Sequence, residues 1–153
     1  MDLRTYRFSS TFTLEAPRKR VHQVLVDLEF YAEWWPQVRA VAKIDDDHAL
    51  VVCRSSLPYD LELELSAESR DLDCLEVGID GPIRGWARYH LDEQSPGTTT
   101  LRFEQQVRAE APMFVLASYV VRPLLVWNHH RMIRGSEQGL RVRLQPSAAI
   151  AAS

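Results

Sequence analysis

The chain has 153 residues, the length of one domain, and 46% hydrophobic with 25% charged residues excludes a disordered segment. A net charge of −3 and a pI of about 5.9 exclude the whole-protein basic field of a nucleic-acid binder. No apolar run reaches the ~18–20 residues of a membrane span.

Residues 5–14 alternate, with Tyr6, Phe8, Phe12 and Leu14 on one face, which predicts a half-buried strand. Pro17 suits the first turn of a helix, and Val21, Val24, Leu25 and Leu28 recur at helical spacing. A second short helix is expected from Phe30 to Trp34, stopped by Pro36. Six strands follow: Val38–Ile44, Ala49–Ser56 ending at Pro58, Asp60–Ser66, a run through Leu75, Val77 and Ile79, Ile83–Leu91, and Thr98–Val107. Asp45-Asp46-Asp47, Gly81-Pro82 and Ser95-Pro96-Gly97 mark turns between them, as in an antiparallel meander. Met113–Val121 reads as an apolar connection ended by Arg122-Pro123. A helix of about 20 residues is expected from Leu124 to Leu144. Its inner side carries Leu125, Asn128, His129, Met132, Gly135, Ser136, Gly139 and Leu140. Two glycines there suggest a close backbone approach to the sheet, or room for something else, since each costs ~1 kcal/mol against alanine. Residues 1–145 form one expected domain, and the small, uncharged residues 146–153 a flexible tail.

The layer logic of this order is α+β. A curved antiparallel sheet of about seven strands wraps a long C-terminal helix, with two short helices after the first strand. Residues 122–144 hold five arginines against Glu137, a local +4, so the remaining chain carries about −7 (−3 minus +4). Cys53 and Cys74 form no CxxC pair and read as small apolar strand residues in a reducing compartment. The start, Met1-Asp2-Leu3-Arg4, has no apolar signal-like region, so the expected location is cytoplasmic.

The order and several segments resemble the START/SRPBCC superfamily, the helix-grip fold, in its polyketide cyclase/dehydrase-like branch. The segments are Ala16-Pro17, the run Asp27 to Val38 containing Tyr31, Trp34, Trp35 and Pro36, Gly81 to Trp86, and Trp127 to Gly135 with Gly139-Leu140. The resemblance covers about residues 5–145 and implies a ligand cavity between sheet and C-terminal helix. Aromatase/cyclase members use an arginine, a tyrosine and a tryptophan in that cavity. Trp34 or Trp35 fits the tryptophan segment. The strand corresponding to their arginine strand is Asp60–Ser66, which contains no arginine.

The candidate ligand-binding residues are Tyr31, Trp34, Trp35, Leu63, Trp86, Tyr89, Phe103, Leu125, Asn128, His129 and Met132. Trp34 and Trp35 are adjacent at a helix end and point differently, so one faces inward. On the sixth strand two parities are open. Either Gly85, Ala87 and Tyr89 face the cavity, or Trp86, Arg88 and His90 do. His129 either pins the helix to a carbonyl or orients a ligand carbonyl and moves a proton. Arg54, if it faces inward, needs a carboxylate partner such as Glu62 or Glu64 and could stabilise an enolate-like oxygen; otherwise it forms an exposed cross-strand pair. Tyr89, His129 and Arg54 are the candidate catalytic groups. No nucleophile elbow, P-loop or GxGxxG is present, and the histidines lack metal-ligand spacing, so neither cofactor nor metal is expected.

Three functions compete at this level: a binder of a small hydrophobic molecule, a polyketide cyclase/dehydrase-type enzyme, and a protein-interaction domain without a ligand. Residues 113–127 are a candidate transient membrane contact or homodimer surface.

Overall fold

Alternation of apolar and polar side chains builds a seven-stranded antiparallel sheet in the order β1-β7-β6-β5-β4-β3-β2. The structure, a computed structural model, describes residues 2–54 and 60–145. The strands are β1 (Thr5–Leu14), β2 (Val38–Lys43), β3 (His48–Arg54), β4 (Asp60–Asp71), β5 (Cys74–Asp80), β6 (Ile83–Ser95) and β7 (Thr98–Ala109). Strands β2 to β7 form a meander, and β1 closes its far side by pairing with β7 from Thr5↔Arg108 to Leu14↔Thr99. The expected end of the third strand at Ser56-Leu57-Pro58 and the expected tail at 146–153 lie outside the described residues.

Between β1 and β2 the chain forms α1 (Arg18–Val26), a 3-10 turn at Leu28–Phe30 and α2 (Tyr31–Trp34). Pro17 caps α1 in an extended conformation and does not enter its first turn. The expected second helix begins one residue later, at Tyr31, because Phe30 belongs to the 3-10 turn that precedes it. Pro36 still ends it, since the residue before a proline disfavours the helical region.

The segment expected as an apolar connection is a helix, α3 (Pro112–Val120). Pro112 occupies its first turn, where a missing N–H costs nothing, and no glycine interrupts it. The long helix α4 (Arg122–Leu144) begins two residues earlier than expected, because Pro123 also fits a first turn.

The main core joins the inner sheet face to α1, α2 and α4 through residues such as Phe12, Leu14, Val21, Trp34, Leu101, Ile133 and Leu140. A smaller cluster of Tyr6, Leu63, Ile79 and Val107 packs with Leu125 and Val126 of α4.

The glycines of α4 approach α2 and the residues following it, not the sheet. A Cβ on Gly139 would overlap the Trp34 carbonyl oxygen and lie 2.8 Å from the carbonyl carbon. A Cβ on Gly135 would crowd the Gln37 side chain, 2.9 Å from its Cδ. The glycines let α4 cross the chain at α2 closely.

Candidate functional site

A cavity of about 430 Å³ lies between the inner sheet face and α4, within the range of pockets that hold drug-sized molecules. Its walls are mostly apolar, with Val51, Leu61, Leu63 and Leu65 from β3 and β4, Leu75, Val77 and Ile79 from β5, and Met132 and Ile133 from α4.

Strand register determines which polar groups enter it. On β6 the small parity faces in: Ala87 and Tyr89 border the cavity. Trp86 does not, and the guanidinium of Arg88 lies 4.5 Å above its ring. Arg88 also pairs with Glu76, and His90 lies 3.5 Å from Glu104. Tyr89 stands opposite Phe103 on β7, their rings 5.2 Å apart, and Gln105 is the next β7 residue on that face. Tyr89 is 9% exposed, and its hydroxyl has no hydrogen-bond partner among the described residues. Burial holds its pKa well above the ordinary phenol value, so the hydroxyl keeps its proton and can donate.

Phe8 of β1 is the cross-strand partner of Gln105. Together they present a ring and an amide to His129 of α4. The imidazole stacks on Phe8 at 3.5 Å between centroids, and its Nε2 lies 2.6 Å from Gln105 Oε1. Its buried Nδ1 has no hydrogen-bond partner. Burial, with a smaller contribution from His130, pushes the imidazole pKa down to about 3, so His129 is neutral near pH 7.

Trp34 and Trp35 stack with ring centroids 5.8 Å apart but sit at different depths, since Trp35 leaves α2 in an extended conformation. Trp35 borders the cavity, and its indole N–H donates to the Met132 carbonyl at 3.0 Å, tying α2 to α4. Trp34 is buried in the core, packed on Tyr31 with ring centroids 4.8 Å apart. Tyr31 also borders the cavity but donates its hydroxyl to the Leu25 carbonyl. Burial, then the neighbouring Tyr89 and Asp27, raise its pKa.

The structure therefore brings together Tyr31, Trp35, Leu63, Tyr89, Phe103, His129 and Met132 around one cavity. It places Trp34, Trp86, Leu125 and Asn128 elsewhere. Leu125 packs in the smaller cluster, and Asn128 is buried with its Oδ1 unpaired. Arg54 is half exposed and lies 3.6 Å from Asp60, its cross-strand neighbour on β4, which is the exposed pair and not the inward-facing group. Cys53 lines the cavity with its thiol pKa pushed up to about 11 by burial. An arginine does occur on β4, since that strand runs to Asp71: Arg70 stands at the cavity rim and binds Asp47 at 3.0 Å.

Sequence reasoning passed over Gln105 as a site residue. Its signal was an amide on the face that otherwise carries Leu101, Phe103 and Val107. Among the described residues no three metal-ligating side chains converge, and no helix is long and apolar enough to cross a membrane. Along α3 and over the first turns of α4, Met113, Leu116, Tyr119, Val120, Leu124 and Trp127 are exposed apolar side chains.

A curved antiparallel sheet closed around a C-terminal helix over an apolar cavity defines a helix-grip protein, the fold of the START superfamily. Solved structures agree. A START superfamily protein from Mycobacterium smegmatis superposes with a TM-score of 0.74 at 14% identity, over 90% of this chain and 96% of that one. The Zhui aromatase/cyclase from Streptomyces sp. R1128 gives 0.76 at 12% identity, over 92% and 93%. A conserved protein from Geobacillus kaustophilus gives 0.74 at 10% identity, over 91% and 95%. No protein-family model matches the chain, and no curated protein matches it in sequence.

Proposed function

We propose that this protein binds a small, largely apolar molecule in the cavity between the sheet and α4. The observation that carries the proposal is the cavity of about 430 Å³ with apolar walls and the unpartnered Tyr89 hydroxyl within it. Tyr89 supplies a hydrogen-bond donor to an oxygen of the ligand, and Phe103 and Trp35 supply flat apolar contacts.

A second reading is a polyketide cyclase/dehydrase-type enzyme. Similarity to an aromatase/cyclase supports it, as does the presence of Tyr89 and His129 in one cavity. General acid–base work is most efficient when the catalytic pKa lies near the operating pH. Here the imidazole is held far below neutrality and the phenol far above it. Binding therefore ranks above catalysis. A domain without a ligand ranks third, because a filled core would serve it better than an open cavity. The exposed apolar face of α3 supports a contact with a membrane or with a second copy of the chain; vesicle cosedimentation and sedimentation equilibrium separate the two.

Native mass spectrometry of the purified protein, with denatured extracts run alongside, tests the proposal. A retained apolar adduct is the expected result. A bare mass, together with no uptake of an uncharged naphthyl probe, would overturn it.

A further inference from the structure

The two ends of the cavity differ in charge. The sheet-centre end is apolar, with neutral His129 and Tyr89 as its hydrogen-bonding groups beside Gln105. At the other end the lining is solvent-exposed and carries five carboxylates: Asp27, Glu29, Asp45, Asp46 and Asp47. They come from the link between α1 and α2 and from the turn between β2 and β3. The two cations at this rim are already engaged. Lys43 lies 3.5 Å from Asp46 and 4.0 Å from Glu29. Arg70 lies 3.0 Å from Asp47 and also donates to the Asp46 carbonyl. Glu76, which also borders the cavity, is paired with Arg88.

Five carboxylates against two cations leave three negative charges at the rim with His48 neutral. If His48, 2.8 Å from Asp45, carries a proton, two remain. An anionic headgroup left at the rim would meet like charge. An anionic group carried inward would lose its water with no cation to receive it. An uncharged ligand meets neither penalty, and its oxygen finds Tyr89.

We infer that the cavity takes an uncharged, largely apolar molecule and discriminates against the same body carrying an anionic group. This rests on the cavity-binding reading above.

A matched pair of probes separates the two claims. N-phenyl-1-naphthylamine is uncharged, and 1-anilinonaphthalene-8-sulfonate is the same body with one sulfonate. Fluorescence titration is expected to show binding of the uncharged probe and at least about tenfold weaker binding of the sulfonate at low salt. A sulfonate meets a desolvation cost in any apolar pocket, so the rim is tested through the ratio of the two affinities. That ratio is expected to narrow severalfold in the variant D45N/D46N/D47N. It is also expected to narrow in the unaltered protein between about 0.01 and 1 M salt, where the screening length falls from about 30 to about 3 Å. Equal affinities at low salt would overturn the inference. So would a ratio indifferent to salt, a measurement that does not depend on the variant folding. Ala87→Phe puts a ring into the apolar end of the cavity beside Tyr89 and Phe103, and a signal it does not weaken comes from outside that end. If the uncharged probe gives no signal that Ala87→Phe weakens, the cavity-binding reading itself fails, and this inference falls with it.

Discussion

His129 makes the stability of the fold depend on pH in a way that one substitution isolates. Its imidazole is held against Phe8 and Gln105 at the cavity wall, and burial pushes its pKa from 6.5 down to about 3. In the unfolded chain it titrates near ~6.5. Between these values the unfolded chain binds a proton that the folded protein does not. Stability from this group is therefore complete above about pH 6.5 and declines as pH falls towards about 3. At pH 5, about 1.5 units below the unfolded value, the loss is about 2 kcal/mol, from ~1.4 kcal/mol per unit. His48 acts in the opposite sense, because Asp45 raises its pKa, and Asp45 itself loses stabilisation only at lower pH. Both groups persist in a His129→Gln variant and cancel in the difference. Urea unfolding at pH 7 and pH 5 measures it. The unaltered protein should lose about 2 kcal/mol more than His129→Gln over that interval. Equal losses would show that His129 is not held neutral by burial, and would return it to the candidates for proton transfer.

The α4 glycines predict different outcomes for one chemical change. Gly139→Ala drives a methyl into the Trp34 carbonyl, which is backbone and cannot turn aside, so overpacking of ~1–3 kcal/mol outweighs the ~1 kcal/mol gain in helix propensity. Its melting temperature should fall, whereas Gly135→Ala, meeting only the end of the Gln37 side chain, should be within about 0.5 kcal/mol of neutral. Tyr89→Phe removes a hydroxyl without a partner among the described residues, so its urea midpoint should be unchanged. Its affinity for an uncharged naphthyl ketone should fall about three- to tenfold, the measure of one hydrogen bond of ~0.5–1.5 kcal/mol. Unchanged ketone affinity would show that the Tyr89 hydroxyl does not meet the ligand.

The strands were legible because a half-buried sheet writes its two faces into the chain, and Leu61, Leu63 and Leu65 against Asp60, Glu62 and Glu64 do so plainly. The long helix was legible from its one-sided pattern. Helix α3 was not, because Met113 to Val121 is apolar on every side and offers no period. Strand β6 carries side chains of mixed character on both faces. Its parity was settled by register: the Tyr89↔Phe103 pairing puts Tyr89 beside a strand whose apolar face is unambiguous. Trp34 and Trp35 needed the backbone break at Trp35, a property of the chain direction after α2. The site as a whole was only partly legible. Tyr89 and His129 stood out as chemistry-bearing residues, but the role of His129 depends on Phe8 and Gln105, which lie far from it in sequence and meet it only through the β1–β7 pairing.

An unfilled space within a fold costs stability, so a helix facing an apolar sheet collapses onto it unless something holds it away. In this protein α4 is held on both sides of the cavity. On one side Gly139 rests against the Trp34 backbone, and Trp35 donates to the Met132 carbonyl. On the other, His129 stands on Phe8 and Gln105, reached from β1 and β7. The leucines and valines of β3, β4 and β5 lie between these supports and face the cavity. The residues at the supports thus carry two roles at once. They bury apolar surface that stabilises the fold, and they fix the spacing that leaves room for a ligand. A substitution such as Gly139→Ala therefore changes the cavity width and the stability together, whereas Tyr89→Phe, which supports nothing, changes recognition alone.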